Sequence, residues 1–159
     1  MIKIAIGSDH IGYALKEDLK KYLFQLGLEP VDLGCHDTDT PVDYPDIAFE
    51  LSHRLVMGDF DRGVLICGTG IGMAIAANKV LGVRAACCHD VYSAERSRKS
   101  NNAQIITMGS LVITPLLARR MLSIWLDSEF EGGRSAPKVA KIVAIERQHQ
   151  QKLIEHLPK

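Results

Sequence analysis

Residues 63–73 read GVLICGTGIGM, in which an apolar run is followed by a thiol, a hydroxyl and three glycines. The apolar run at 63–66 predicts a buried strand of a parallel sheet. The residues from Ile71 to Val80 predict the helix that follows, and the glycines between them let the backbone turn sharply without Cβ strain. A buried strand that passes directly into a helix is the building unit of α/β folds, so this stretch indicates the fold class.

The turn between this strand and this helix also has the features of an anion site. The start of the helix directs free backbone N–H groups and the positive end of its dipole at the turn. Such a site favours the thiolate form of Cys67 beside it. The glycines do not follow the Gly-x-Gly-x-x-Gly spacing of dinucleotide sites, and no Lys-Ser or Lys-Thr pair of a nucleoside-triphosphate loop follows. An inert, buried cysteine is the alternative, but the glycines and Thr69 favour a functional site.

Strands and helices alternate in the same way along the rest of the chain. Apolar runs bounded by turn residues predict strands at 2–6, 30–33, 63–66, 83–88 and 104–108. Helical spacing of apolar residues predicts helices at 12–26, 44–57, 71–80 and 92–99. Thr114 and Pro115 open a further helix, with a capping hydroxyl before a proline at the first helical position. The alternation predicts a Rossmann-like three-layer α/β/α sandwich around a five-stranded, doubly wound parallel sheet.

A last helix, at about 135–157, follows the Gly132-Gly133 hinge. We expect Ser135 to cap this helix. Its apolar residues are Val139, Ile142, Val143, Ile145, Leu153 and Leu157. The helix is long enough to reach a partner subunit, so we expect a dimer arm, with an ordinary packed helix as the alternative. We expect residues 1–159 to form a single domain.

Composition narrows the possible partners. The formal net charge is +0 and no basic face is evident, so nucleic acid is not an expected partner. We expect no membrane partner and a cytoplasmic location, because no apolar stretch approaches a membrane span and no signal region opens the chain. The cysteines at 35, 67, 87 and 88 form no CxxC pair and indicate neither a disulfide framework nor a zinc site. The neighbours Cys87 and Cys88 should face opposite sides of the sheet.

Polar side chains that suit acid–base chemistry follow two of the predicted strands. Asp9 and His10 come after the first strand, and Cys67 and Thr69 come after the third. Ligands of such sheets bind beyond the carboxyl ends of the strands, and in a flavodoxin-like strand order these two loops are neighbours. A carboxylate, an imidazole, a thiol and a hydroxyl around a glycine anion hole suit proton transfer next to a carbonyl.

Six motifs together give the chain a family likeness. They are Gly7-Ser8-Asp9-His10, Asp43-Tyr44-Pro45, ICGTGIG at 66–72, Ala76-Ala77-Asn78-Lys79, Asn101-Asn102-Ala103 and Glu131-Gly132-Gly133-Arg134. On these motifs, nearly the whole chain resembles the ribose-5-phosphate isomerase B family, which includes the galactose-6-phosphate isomerase subunits. The resemblance implies a small phosphorylated sugar as substrate, no metal and no other cofactor. It also implies a homodimer, or a tetramer built as a dimer of dimers, with active sites formed by both chains.

The resemblance assigns roles to the predicted site. Cys67 corresponds to the general base that moves a proton between C1 and C2 of the sugar through a cis-enediolate. The Thr69 hydroxyl and the backbone N–H groups of the turn hold that enediolate. The turn residues are Gly68, Thr69, Gly70, Ile71 and Gly72. Asp9 assists at the substrate hydroxyls, and Tyr44 lines the sugar pocket.

Further implied roles concern the phosphate and the neighbouring subunit. By resemblance, Asn101 and Arg134 come from the neighbouring subunit, while His10 and Arg134 lie near the phosphate. The simpler alternatives are a surface position for Arg134 and a loop cap for Asp9. The breadth of the motif match makes these alternatives less favoured.

Four positions in the substrate-binding region depart from the family pattern. Ser100 replaces the histidine that opens the furanose ring, and Leu111 stands where the family often has a phosphate-binding arginine. A histidine commonly found after Arg134 is Ser135 here, and Lys138 replaces a further arginine. Lysine keeps the positive charge but not the planar fork that grips phosphate. The proton-transfer groups are therefore retained, whereas ring opening and part of the phosphate clamp are not.

These departures leave several functions open. The first is isomerisation between ribose 5-phosphate and ribulose 5-phosphate. Because a serine does not act unaided as a general acid or base near neutral pH, a substrate without a ring is the alternative. D-erythrulose 4-phosphate and D-erythrose 4-phosphate meet that condition, since the phosphate occupies the hydroxyl needed to close a furanose. A non-catalytic or half-site subunit of a hetero-oligomer is a third possibility, and a nucleotide-binding module, by fold analogy alone, is a fourth.

The pair His89-Asp90, at the end of the fourth predicted strand, raises a separate question. Its imidazole could reach a substrate from another direction. A loop-capping pair is the simpler interpretation, because strand ends frequently carry polar residues that form turns.

Overall fold

A five-stranded, all-parallel sheet forms the centre of the protein. The structure is a computed structural model and describes residues 2–156. The strands are β1 (Ile4–Ser8), β2 (Val31–Asp32), β3 (Arg62–Cys67), β4 (Ala85–Cys87) and β5 (Ile105–Gly109), in the order β2-β1-β3-β5-β4. Strands β1, β3 and β5 are buried along their whole length, which explains why their sequences are predominantly apolar.

Helices cover both faces of this sheet. The covering helices are α1 (Tyr13–Gln25), α2 (Tyr44–Val56), α3 (Ile71–Ala77), α4 (Val91–Lys99) and α5 (Pro115–Asp127), and α6 (Ala136–Glu155) follows them along the chain. Helices α1, α4 and α5 share one core with Ile66. Helices α2 and α3 share a second core with Leu65 and Cys67 on the opposite face. The layers confirm the predicted Rossmann-like α/β/α sandwich, and the alternation along β3 directs Cys67 toward α2 and α3.

The strand order brings the two polar loops together. Strands β1 and β3 are neighbours, with Ser8 opposite Ile66, so the loops that follow them are adjacent, as a flavodoxin-like order predicts. The last two strands depart from that order, because β5 lies beside β3 and β4 forms the edge. Burial accounts for the exchanged positions of β4 and β5, since β5 is buried throughout whereas the three-residue β4 ends in the exposed Cys87.

Three elements are markedly shorter than the sequence predicts, one of which is β4, with three residues instead of the six at 83–88. Strand β2 has two residues instead of the four at 30–33. Helix α3 ends before the predicted Val80 because the chain turns at Asn78. The Asn78 side chain donates from Nδ2 to the Ala85 carbonyl at 2.8 Å and accepts at Oδ1 from the Ala85 N–H at 2.9 Å. The amide thereby takes the place of a neighbouring strand on the outer edge of β4.

The predicted caps of the last two helices have different outcomes. The Thr114 hydroxyl accepts from the Leu117 N–H at 3.3 Å, which confirms the predicted cap of α5. The prediction that Ser135 caps α6 is wrong, because its side chain makes no capping hydrogen bond. Ser135 ends a short 3-10 turn (Gly133–Ser135) with helical backbone angles, whereas a capping residue needs an extended backbone.

Helix α6 leaves most of its apolar residues in contact with solvent. Val139 is the one residue of α6 that the structure describes as buried, while Ile142, Ile145 and Leu153 are exposed. The predicted Leu157 lies outside the described residues. Among residues 2–156, no helix has both the length and the apolar character needed to cross a membrane.

Candidate active site

A cavity of about 530 Å³ opens where β1 and β3 end. Seven of the predicted site residues line it, namely Asp9, Tyr44, Cys67, Gly68, Thr69, Ile71 and Gly72. Three further residues line it, namely Ile11, Ile75 and Leu111, and none of them was predicted to bind the substrate. Ile75 follows Ile71 by one helical turn, so helical spacing could have identified it.

The sulfur of Cys67 lies at the base of this cavity. Cys67 is the last residue of β3 and is 5% exposed. Its Sγ accepts a hydrogen bond from the Gly70 N–H at 3.1 Å. A backbone donor aimed at the sulfur stabilises negative charge on it. The thiol is therefore within reach of a ligand and is held in one orientation.

The loop that carries Cys67 packs directly on the end of β5. Gly70 has φ +76°, and a Cβ there would lie 2.7 Å from the carbonyl carbon of Met108. A Cβ on Gly109 would lie 2.7 Å from the backbone of Thr69. The Thr107 hydroxyl donates to the Gly70 carbonyl at 2.7 Å and fastens the two segments together. Glycine is therefore required at 70 for both its backbone angle and the space it leaves.

Thr69 and Asp9 line the same cavity as the Cys67 sulfur and bring oxygen atoms to it. The Thr69 Oγ1 accepts from the Ile71 N–H at 3.3 Å, which leaves its own proton free to donate. The Asp9 Oδ1 accepts from the Gly12 N–H at 2.8 Å. Asp9 thus caps the loop before α1 and also lines the cavity, so its two predicted roles are compatible.

Tyr44 forms a side wall at the start of α2. A Cβ on Gly72 would come within 2.6 Å of the Tyr44 ring, so the ring packs directly on the backbone of α3. This contact fixes the width of the cavity between α2 and α3.

Comparison with known proteins agrees with this geometry. The family described as Ribose/Galactose Isomerase matches residues 4–142. The chain belongs to this family.

Relatives within the ribose/galactose isomerase family are named for more than one substrate. The chain is 53% identical over 148 residues to the D-erythrulose-4-phosphate isomerase of Pectobacterium atrosepticum, covering 93% of this chain and 97% of that protein. It is 52% identical over 148 residues to the ribose-5-P isomerase B of Listeria innocua, covering 93% of this chain and 99% of that protein. The structure of ribose-5-phosphate isomerase B from Clostridium thermocellum superposes on this one with a TM-score of 0.90 and 45% sequence identity. The match covers 93% of this chain and 99% of that chain. The chain is thus an aldose–ketose isomerase of a sugar phosphate.

Apart from Gly70, five predicted site residues do not line the Cys67 cavity of the same chain, namely His10, Ser100, Asn101, Arg134 and Lys138. All of them are exposed except Ser100, which is partly buried. The Ser100 hydroxyl accepts from Arg96, at 3.0 Å from Nε and 2.5 Å from Nη2. Asn101 lines a separate cavity of about 300 Å³ together with Ile142 of α6. Gly70 does not line the cavity either, but its N–H donates to the Cys67 sulfur.

The cavity is largely apolar. Among the described residues that line it, Asp9 is the only charged one. Ile11, Ile75 and Leu111 are exposed at its mouth. A phosphorylated ligand therefore meets no cationic side chain from the lining of this cavity. Elsewhere in residues 2–156, no group of three or more His, Cys, Asp or Glu residues is arranged to hold a metal ion.

The other two thiols near the sheet edge have different surroundings. Cys88 packs in the core of α1, α4 and α5, and burial raises the pKa of its thiol to about 11. Cys87 is exposed on the opposite side, which agrees with the predicted alternation. Burial also raises the pKa of the Cys87 thiol, whose Sγ donates to the Thr69 carbonyl at 3.8 Å. Neither Cys87 nor Cys88 lines the cavity, whereas Cys67 does.

Two glycine substitutions separate backbone strain from the close contact at the loop. Gly27 and Gly70 both have φ +76°, but a Cβ on Gly27 meets nothing within 4 Å. We expect Gly27→Ala to lower the free energy of unfolding by about 1 kcal/mol, from the left-handed backbone alone. We expect Gly70→Ala to cost about 2 kcal/mol more, because Met108 backbone atoms cannot move aside. Urea unfolding at fixed protein concentration measures both, and equal losses would contradict the contact.

Proposed function

We propose that this isomerase uses Cys67 as its general base and interconverts an aldose phosphate and its ketose through a cis-enediolate, without a cofactor. The first substrate pair is ribose 5-phosphate and ribulose 5-phosphate, as the name of the Listeria innocua relative suggests. The observation that supports the base assignment is the Cys67 sulfur, which lines the cavity and accepts the Gly70 N–H. We propose a cytoplasmic location and a single isomerase domain for the same chain.

The proposed reaction is a proton transfer between two carbons. The Cys67 thiolate takes the proton from C2 of the aldose, and the electron pair moves to the carbonyl oxygen to give the enediolate. The resulting thiol returns the proton to C1, which completes the ketose. Asp9 assists in moving a proton between the two hydroxyl oxygens. The Thr69 hydroxyl and the free N–H groups of the turn would donate to the negative oxygen as charge develops there.

The assignment of Cys67 as the general base can be tested against a matched cysteine variant. We expect Cys67→Ala to lower kcat by about 10³-fold, because general-base catalysis contributes on that order. Cys87→Ala removes an exposed thiol outside the cavity. Because that thiol takes no part in proton transfer, we expect kcat to stay within about threefold of the parent. Turnover and deuterium incorporation at C1 and C2 in D₂O measure both variants. Undiminished exchange in Cys67→Ala would exclude this sulfur as the base.

A second copy of the chain is proposed to complete the active site. Among the described residues lining the cavity no cation is present to neutralise a phosphate dianion. Arg134 and Lys138 are exposed beyond the Gly132-Gly133 hinge, beside the exposed apolar residues of α6. We propose a homodimer, or a tetramer of two such dimers, in which α6 packs on the partner. Each partner would supply Asn101 and Arg134 to the other site, with His10 near the phosphate.

Mixing two inactive variants tests the shared site. Cys67→Ala and Arg134→Ala should each have little activity alone. When the two chains are unfolded together and refolded, half of the dimers are mixed and contain one intact site. We therefore expect about a quarter of the parent activity to return. Refolding each variant separately is the control, and the absence of recovery in verified mixed dimers would contradict a site built from both chains.

A four-carbon substrate is the second candidate. Ser100 stands at the ring-opening position, and its hydroxyl is engaged by Arg96. An acyclic substrate such as D-erythrulose 4-phosphate needs no ring opening, and the Pectobacterium atrosepticum relative is named for that substrate. Retention of Cys67, Thr69 and Asp9 in one cavity argues against the half-site alternative, which predicts no activity for the chain expressed alone.

Substitution at position 100 separates the two substrate classes. We expect Ser100→His to raise kcat/KM for ribose 5-phosphate by about tenfold or more, because an imidazole can transfer the protons of ring opening. The same substitution should give no gain with D-erythrulose 4-phosphate, which has no ring. Ser100→Ala is the control for losing the Arg96 contact. If the parent turns over ribose 5-phosphate much faster than the four-carbon substrate, the second candidate is wrong.

A further inference from the structure

The imidazole of His89 replaces one rung of the parallel ladder between β4 and β5. The Ile105 N–H donates to the Arg84 carbonyl, and the Cys88 N–H donates to the Thr107 carbonyl at 3.0 Å. The next rung in this register would join the Gly109 N–H to the backbone carbonyl of Cys88. The Gly109 N–H instead donates to Nε2 of His89 at 3.0 Å.

This hydrogen bond defines the form of the ring. An imidazole nitrogen that accepts a hydrogen bond carries no proton, so the ring is neutral with its proton on Nδ1. Asp90 fixes the backbone next to the ring, because its side chain accepts from the Ser93 N–H at 2.7 Å and from the Ser93 hydroxyl at 2.6 Å. His89 is thus held by the start of α4 while its ring reaches β5. The loop-capping interpretation of the pair holds, with Asp90 as the helix cap.

The end of β5 in turn supports the loop that carries the base. The Ser110 N–H donates to the Cys67 carbonyl at 2.9 Å, and the Leu111 N–H donates to the Gly68 carbonyl at 3.0 Å. Gly109 itself lies against the Thr69 backbone without room for a Cβ. A shift of Gly109 therefore moves the support beneath Cys67 and Thr69 together. His89 is the side chain that holds the Gly109 N–H.

We infer that His89 is a positioning residue of the isomerase, whose neutral ring holds the end of β5 and thereby sets the position of the Cys67 sulfur. This inference rests on the proposed function of Cys67. His89 does not line the cavity, so it acts through Gly109 and not on the substrate. The inference requires an acceptor at the position of Nε2, and an amide oxygen can supply one.

Substitutions that remove or replace the acceptor test the inference. We expect His89→Leu to lower kcat at least tenfold with KM changed by less than about threefold, because a misplaced base slows proton transfer more than binding. His89→Gln, whose Oε1 can accept from Gly109, should recover most of the lost kcat. Asp90→Ala removes the α4 cap that holds the backbone of His89 but leaves the acceptor in the chain, so its loss of kcat should be smaller than that of His89→Leu. Equal kcat losses in the Leu and Gln variants, or no loss in either, would overturn the inference.

NMR spectra separate this inference from the base assignment. In the parent, the ¹⁵N chemical shifts of the His89 ring should report a proton on Nδ1, and the Gly109 amide proton should exchange slowly with solvent. His89→Leu should accelerate that exchange, and His89→Gln should restore protection. These measurements do not require turnover, so they test the contact even if Cys67→Ala shows that another group is the base. A protonated Nε2 in the active parent, or unchanged Gly109 exchange in a folded His89→Leu, would overturn the inference.

Discussion

Two backbone segments meet without intervening side chains where the Cys67 loop crosses the end of β5. A Cβ on Gly70 or on Gly109 would come within 2.7 Å of the backbone of the other segment. Gly70 also supplies the N–H that the Cys67 sulfur accepts. The depth of the sulfur in the cavity therefore depends on how closely these two segments approach. The start of α3, the position of Thr69 and the support from β5 all follow from that single contact.

The short edge strand β4 is completed by side chains instead of by backbone. The Asn78 amide occupies its outer edge at Ala85, and the His89 ring takes the rung beyond its end. Both substitutes satisfy backbone groups that a longer or paired strand would satisfy. The strand can therefore stop at Cys87 without leaving these groups unpaired, and α4 can begin close to the carboxyl edge of the sheet.

The cavity combines exposed apolar side chains with polar ones. Ile11, Ile75 and Leu111 line it together with Asp9, Thr69 and Cys67. Excluding water from such a site strengthens every electrostatic interaction within it. The same surroundings leave a phosphate to be neutralised from outside the lining. The proposed site, with its base in one chain and its cations on a second copy, would also cover the apolar residues that α6 exposes.

The sequence alone determined the α/β sandwich and the loops that carry Asp9 and Cys67, because buried strands and glycine turns are local patterns. Only the tertiary structure decided that β5 lies between β3 and β4, that Ser135 does not cap α6, and that Leu111 lines the same cavity as Cys67. The contact between His89 and Gly109 belongs to the same class, since it joins residues 20 positions apart. Local sequence specifies backbone propensity and apolar spacing, whereas strand order and contacts across the sheet depend on how distant segments compete for burial.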